Sequence, residues 1–165
     1  MTAVKKPPAV AILAVCGAGS CDPETAALAE AVGREIARRG AILACGGLGG
    51  VMEAAARGAK AAGGMTLGIL PGLDRREANA FIDVPITTGL AEGRNLVLVR
   101  TADAVIALAG EYGTLSEIAL ALKIGKPVVS LQSWEIGPEV VRAEDAADAV
   151  AKALKACGRR GGSRS

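Results

Sequence analysis

One pattern constrains this chain more than any other. Short continuous apolar runs alternate with helix-like segments, and glycine-rich loops join them. The run AVAILAV at 9–15 has no polar position, which suits a strand buried on both faces rather than one with a wet side. CGAGSCD follows as a loop. Asp22-Pro23 then opens a helix, with the aspartate as N-cap and the proline in the first turn. That helix is expected to reach about Arg39, with Gly40 as its C-cap.

The same order recurs downstream. AILAC (41–45) leads through GGLGG (46–50) into the helix VMEAAARGAKAAGG. MTLGIL (65–70) leads through the polar loop PGLDRREAN to FIDVPI (81–86), a short strand weakened by Pro85. GRNLVLVRTA (93–102) reads as a helix whose valines leave it ambiguous, and DAVIALA (103–109) as a strand. After GEYG a helix is expected from Thr114 to about Ile124. KPVVSL (126–131) is the last expected strand and AEDAADAVAKALKAC (143–157) the closing helix. The expected domain spans 9–157, with disordered tails at 1–8 and 158–165. Alternation at this spacing implies a parallel sheet with right-handed crossovers and helices on both faces. The fold class is therefore α/β, a doubly wound, mostly parallel, Rossmann-like three-layer sandwich. Sheets of this kind bind ligands beyond the carboxyl ends of their strands.

Composition removes several functions. Histidine is absent, which excludes Ser-His and Cys-His catalysis and every His-ligated metal site. The 19 basic and 17 acidic residues nearly balance, and part of the excess sits in GRRGGSRS at the C-terminus. With no basic stripe and one each of Trp, Tyr and Phe, the chain lacks the means to hold and stack nucleic acid. Cys16, Cys21, Cys45 and Cys157 form no CxxC pair and read as free thiols. Cys16 and Cys45 fall at strand ends and could line a pocket. KKPPAVAILAVCG has the outline of an export signal. Its apolar run is short, however, and Val15 precedes the cysteine where a small residue is expected, so the run is read as the first strand. No stretch has the length of a membrane span, and a cytoplasmic protein without a metal is expected.

Three glycine loops, CGAGS, GGLGG and GEYG, each follow a strand and precede a helix. They must share one edge of the sheet, where free N–H groups and helix N-termini favour an anion such as phosphate. Candidate ligand-binding residues are Gly17 and Ser20 from the first loop, Gly46, Gly47, Gly49 and Gly50 from the second, and Gly110 and Gly113 from the third. The spacing is not the dinucleotide fingerprint, because GAGSCD lacks its third glycine and no acidic residue closes the second strand. It is not Walker A either, since no Gly-Lys-Ser/Thr occurs.

GGLGGVMEAAARGA (46–59), together with GRN (93–95) and GEYGTLSEIALAL (110–122), resembles the SLOG superfamily of Rossmann-like nucleotide-binding proteins over roughly 9–131. That superfamily includes the LOG phosphoribohydrolases, which cleave the base–ribose bond of nucleoside 5′-monophosphates. It also includes molybdenum-cofactor carrier proteins and DprA-related proteins. LOG enzymes carry PGGxGTxxE and an upstream arginine. Here Gly110, Gly113, Thr114, Glu117 and Arg94 match, whereas Ala109 replaces the proline, Glu111 the second glycine, and Asn95 the usual lysine. If the chain is an enzyme, the resemblance makes Arg94 and Glu117 catalytic. Met52, Asn95, Tyr112 and Thr114 join Arg94 and Glu117 as implied ligand contacts. GTLSEIALALKIGKPV resembles the carrier branch, whose members bind the cofactor without known chemistry on it. The pterin phosphate would then lie on the glycine loops, with the cofactor as cargo and no cofactor required.

Several residues keep two readings. Thr114-x-x-Glu117 fits a capping box, with Glu117 only capping, while a Glu117 in the site could orient water or stabilise an oxocarbenium ion. Arg94 is either a surface arginine at a helix start, where a cation is mildly unfavourable, or a phosphate contact. Tyr112 either stacks on a ligand ring or covers the core. Glu111 is either a solvated loop residue or a charge that selects against some phosphates. The helices at 93–102 and 114–124 are apolar nearly all round, through Leu96, Val97, Leu98, Val99, Ile118, Leu120, Leu122 and Ile124. That predicts a homodimer or homotetramer interface.

Overall fold

A computed structural model describes residues 9–158. The first half of the chain contains β1 (Ile12–Cys16), α1 (Pro23–Arg38), β2 (Ile42–Cys45), α2 (Val51–Ala61), β3 (Thr66–Leu70) and β4 (Val84–Thr87). The second half contains α3 (Arg94–Thr101), β5 (Ala104–Leu108), α4 (Tyr112–Lys123), β6 (Val128–Leu131), β7 (Val140–Arg142) and α5 (Ala146–Gly158). The strands form one sheet in the order β4-β3-β2-β1-β5-β6-β7. Every pairing in it is parallel. The chain winds outward from β1 to β4, returns to the other side of β1 as β5, and winds outward again. The reversal lies between β1 and β5, where Cys16 stands beside Ala107. The doubly wound α/β expectation holds, and the sheet is parallel throughout.

The buried core is split by the sheet. On one face α1, α2 and α5 cover Leu13, Val15, Leu43, Cys45, Ile106 and Leu108. On the other face the buried Leu98 and Val99 of α3 and Ile118 and Ala121 of α4 pack with Ala14, Cys16, Ile69 and Val105. The abundance of alanine follows from how close these layers lie. A Cβ on Gly33 of α1 would collide with the Ala55 carbonyl of α2, and one on Gly58 of α2 with the Glu30 carbonyl of α1. Only glycine at both positions lets the two helices touch backbone to backbone.

Local signals explain most boundaries. Asp22 Oδ1 accepts the Thr25 N–H at 2.7 Å, which caps α1 ahead of Pro23. Gly40, at φ +72°, turns the chain after the helix. Pro85 is tolerated because β4 is an edge strand paired only with β3.

Three expectations need correction. The strand after KPVVSL is not absent: β7 is three residues long, too short for its VVR to stand out in PEVVRAED. The closing helix starts at Ala146 rather than 143, because Asp145 Oδ1 accepts the Asp148 N–H at 2.8 Å. It also runs through Gly158, one residue past the expected end of the domain. Finally, α4 begins at Tyr112, two residues before Thr114. The tails at 1–8 and 159–165 lie outside the described residues. Among the described residues no helix is long and apolar enough to cross a membrane.

Candidate functional site

The reversal between β1 and β5 opens a crevice beyond the strand ends, where doubly wound sheets place their ligands. A cavity of about 260 Å³ occupies it. The loop after β1 contributes Gly17, Ala18 and Gly19, and Leu48 and Met52 enter from the loop and helix after β2. Arg94 and Asn95 reach in from the start of α3. Glu111, Gly113, Thr114 and Glu117 close the cavity from the turn and first helical residues after β5. The structure thus brings together Gly17, Met52, Arg94, Asn95, Gly113, Thr114 and Glu117 from the sequence-based set. Ser20, Gly46, Gly47, Gly49, Gly50, Gly110 and Tyr112 do not line the cavity. Tyr112 projects outward at 83% exposure and neither covers the core nor faces the cavity. Ala18, Gly19, Leu48 and Glu111 are lining residues absent from that set. Only the glycine signature of the loops pointed to their neighbourhood.

The glycines of GGLGG have a packing role. A Cβ on Gly46 would come within 2.6 Å of both the Arg94 guanidinium and the Met52 sulfur. One on Gly47 would stand 2.7 Å from Leu70 Cδ2, and one on Gly49 3.2 Å from the Gly19 carbonyl oxygen. Gly50, at φ +63°, lies against the backbone of Ala18, Gly19 and Ser20. The Val51 N–H, at the start of α2, donates to the Ala18 carbonyl at 3.0 Å. The second loop is therefore clamped onto the first, and one N–H that might have met an anion is already used. Asn79 holds the clamp from behind, its side-chain amide donating to the carbonyls of Gly47 (3.2 Å) and Leu48 (2.8 Å).

Arg94 is a strut as well as a lining residue. Its Nη1 donates to the carbonyls of Gly46 and of Ile69 (2.8 Å), which tie together the ends of β2 and β3. Its Nε donates to Asn95 Oδ1 at 2.9 Å. This geometry departs from a surface arginine with its charge in solvent, and it fixes the guanidinium at the cavity wall.

The capping-box reading of Glu117 does not hold. Glu111 is the N-cap of α4 and Tyr112 its first residue, so Thr114 and Glu117 both lie inside the helix. The turn before it is made by Ala109 (φ +47°) and Gly110 (φ +105°), which fixes the helix start upstream of Thr114. Glu117 instead points inward, 7% exposed. Burial pushes its carboxyl up to about 7, against the Cys16 thiol and the Arg94 charge, which both favour the ionised form. Cys16 and Cys45 lie buried beneath the cavity and outside its lining. Burial raises Cys16 well above the ordinary thiol value and Cys45 to about 11, so both are protonated and unreactive at neutral pH. Among the described residues no group of three His, Cys, Asp or Glu could hold a metal ion.

The third loop also departs from the PGGxGTxxE geometry in a readable way. Proline fixes φ near −65°, so it could not occupy the backbone that Ala109 adopts. Glu111 is extended, at φ −111°, a conformation that does not need glycine. Its substitution for glycine is therefore free of strain, and what it adds is an exposed carboxylate at the cavity rim. The assembled site offers loop amides, a fixed guanidinium and a carboxyl that titrates near neutrality. Such a set can hold an anion, and it can also exchange a proton with a bound group.

A model of the SLOG cluster4 family matches residues 10–157. The chain is 50% identical over 120 residues to an uncharacterized protein of Archaeoglobus fulgidus, covering 73% of this chain and 79% of that protein. It is 36% identical over 129 residues to a cytokinin riboside 5′-monophosphate phosphoribohydrolase of Mycobacterium tuberculosis, covering 72% of this chain and 68% of that protein. The Moco (molybdenum cofactor) carrier protein of Chlamydomonas reinhardtii superposes with a TM-score of 0.83 at 35% identity, covering 92% of this chain and 99% of that one.

Proposed function

The chain belongs to the SLOG cluster4 family, and from that premise we propose that it binds a phosphate-bearing, nucleotide-like ligand in the crevice between β1 and β5, as a carrier of the molybdenum-cofactor type. The observation that carries this reading is the rim of the cavity. Glu111 sets a carboxylate where the hydrolase pattern has glycine, and the loop around it turns through Ala109 rather than proline. The ligand's phosphate lies against Gly17–Gly19 and Gly113, with Arg94 supplying the counter-charge. The cofactor is cargo, so no further cofactor is required. Similarity to the Moco carrier protein of Chlamydomonas reinhardtii supports the choice of cargo. The domain is taken as 9–157 and its setting as the cytoplasm.

One observation favours a second reading. Glu117 lines the cavity with a carboxyl near 7, beside Arg94, which is the pairing a nucleoside 5′-monophosphate phosphoribohydrolase needs to cleave the base–ribose bond. Incubation with AMP and N6-substituted AMP separates the two. Release of free base, abolished by Glu117→Gln, overturns the carrier reading. No release, together with thermal stabilisation by AMP or molybdenum cofactor, supports it.

The helices α3 and α4 are proposed to form a homodimer or homotetramer interface. Leu96, Val97, Leu120, Leu122 and Ile124 remain only partly buried there in the single chain. A monomer mass in solution at micromolar concentration would remove this claim.

A further inference from the structure

The cavity between β1 and β5 holds about 260 Å³, below the roughly 300–1,000 Å³ of pockets that enclose a whole small-molecule ligand. It suits a sugar-phosphate end and leaves a ring system to be placed elsewhere. A second cavity of about 320 Å³ is lined by Ala109 and Gly110, from the same loop after β5 that gives Glu111 and Gly113 to the first, and by Gln132, Ser133 and Trp134 after β6. We propose that this second cavity is the ring half of the ligand site, with Trp134 as a stacking platform for a planar nitrogen heterocycle, a purine or a pterin. The inference rests on the phosphate site proposed above.

Three observations point there. Trp134 is the only tryptophan of the chain; it lines this cavity and is 40% exposed. Three non-glycine residues among those described have positive φ, and two of them, Ala109 (+47°) and Gln132 (+57°), line this cavity. Such backbone strain persists where the surroundings hold it and concentrates at ligand sites. Here the surroundings are explicit. Ser133 Oγ donates to the Ala109 carbonyl, the Ala109 N–H donates to the Leu131 carbonyl at 3.4 Å, and the Ser133 N–H donates to Ser130 Oγ at 3.2 Å. The loops after β5 and β6 are thus pinned to each other. Gln132 carries both a donor and an acceptor, as the edge of a purine or pterin requires. Gly110, which also lines this cavity, has φ +105°, and a Cβ there would collide with the Thr114 side chain, so glycine keeps the loop seated on the start of α4. Tyr112, the other aromatic in reach by sequence, lines neither cavity.

Because Trp134 is the only tryptophan, its emission reports on this position alone. The full chain is titrated with AMP and with ribose 5-phosphate, following tryptophan emission and, in parallel, heat. AMP is expected to change the emission, and ribose 5-phosphate to leave it unmoved. Trp134→Leu should weaken AMP or molybdenum cofactor, measured anaerobically, by about tenfold, with Trp134→Phe in between and ribose 5-phosphate unaffected. Whichever ring-bearing ligand loses affinity in Trp134→Leu identifies the ring as purine or pterin. If AMP and cofactor bind wild type and Trp134→Leu equally, with emission unmoved, the ring proposal is overturned and the phosphate site stands. If none of the three ligands binds wild type, the phosphate-site reading fails and takes this inference with it.

Discussion

Glu117→Gln should stabilise this protein above neutral pH and not below pH 5. The side chain is 7% exposed, and burial lifts its carboxyl from an ordinary value of 4.5 to about 7. In the folded state ionisation is therefore costlier by roughly 3 kcal/mol than in the unfolded chain. Well below pH 4.5 the group is neutral in both states and carries no penalty. Between 4.5 and 7 the folded protein binds more protons than the unfolded chain, so stability falls as pH rises, and above 7 the full penalty stands. Glutamine has the same shape and never ionises, so it removes that dependence. Its two amide hydrogens need partners in a buried place, which sets an offset of about 1 kcal/mol that is the same at every pH. The informative quantity is thus the difference between two measurements. Urea unfolding of wild type and Glu117→Gln at pH 5.0 and 8.5 should show the variant gaining roughly 3 kcal/mol on wild type between the two pH values. That corresponds to roughly 6–12 °C in Tm for a domain of this size. A gain below about 1 kcal/mol would refute the reasoning, because it would mean that the cavity hydrates Glu117 as well as the unfolded chain does.

Other substitutions test the remaining parts. Arg94→Met leaves the Gly46 and Ile69 carbonyls without their donor and should cost about 2–4 kcal/mol, seen as a fall in Tm of roughly 5–15 °C. An unchanged Tm would make Arg94 a ligand contact and not a strut. Glu111→Gln removes the carboxylate at the rim and should tighten AMP roughly three- to tenfold at low salt, with the gain shrinking as salt is raised. An equal affinity at 20 mM and 500 mM salt in both proteins would argue against any role for that charge. Gly33→Ala should destabilise by about 1–3 kcal/mol in chemical unfolding, because the methyl meets the Ala55 carbonyl. That outweighs the roughly 1 kcal/mol by which alanine favours a helix, so a more stable variant would contradict the contact.

The layers of the fold were legible because they depend on local patterns. Continuous apolar runs marked the buried strands, Asp22-Pro23 and Gly40 marked the ends of α1, and the alternation itself required a parallel sheet. The site was legible in position and only partly in content. GGLGG looked like an anion loop, yet its glycines serve close approach to Ala18, Gly19, Gly68 and Arg94, which no local pattern records. Thr114-x-x-Glu117 met the capping-box spacing, but the helix start was decided by the φ values of Ala109 and Gly110, set by packing against neighbouring strand ends. The same spacing inside a helix puts both side chains on one face, which here is the buried one. Trp134 is silent in the sequence because a lone tryptophan in a polar loop has no periodic signature, and only the tertiary structure sets it in one cavity with Ala109 and Gln132.

The clamp between the first two loops has a consequence for selection among ligands. With Gly49 and Gly50 seated on Gly19 and Ser20, Val51 bonded to Ala18, and Asn79 locking the rear, the proposed phosphate cradle is held in place before anything enters it. A rigid cradle loses little conformational freedom on binding and accepts any phosphate monoester of the right width, so it is permissive. Discrimination then falls to the loops after β5 and β6, where Glu111 and Trp134 stand. On the proposed reading, exchanging those few residues would change the ligand while the preorganised half of the site stays as it is.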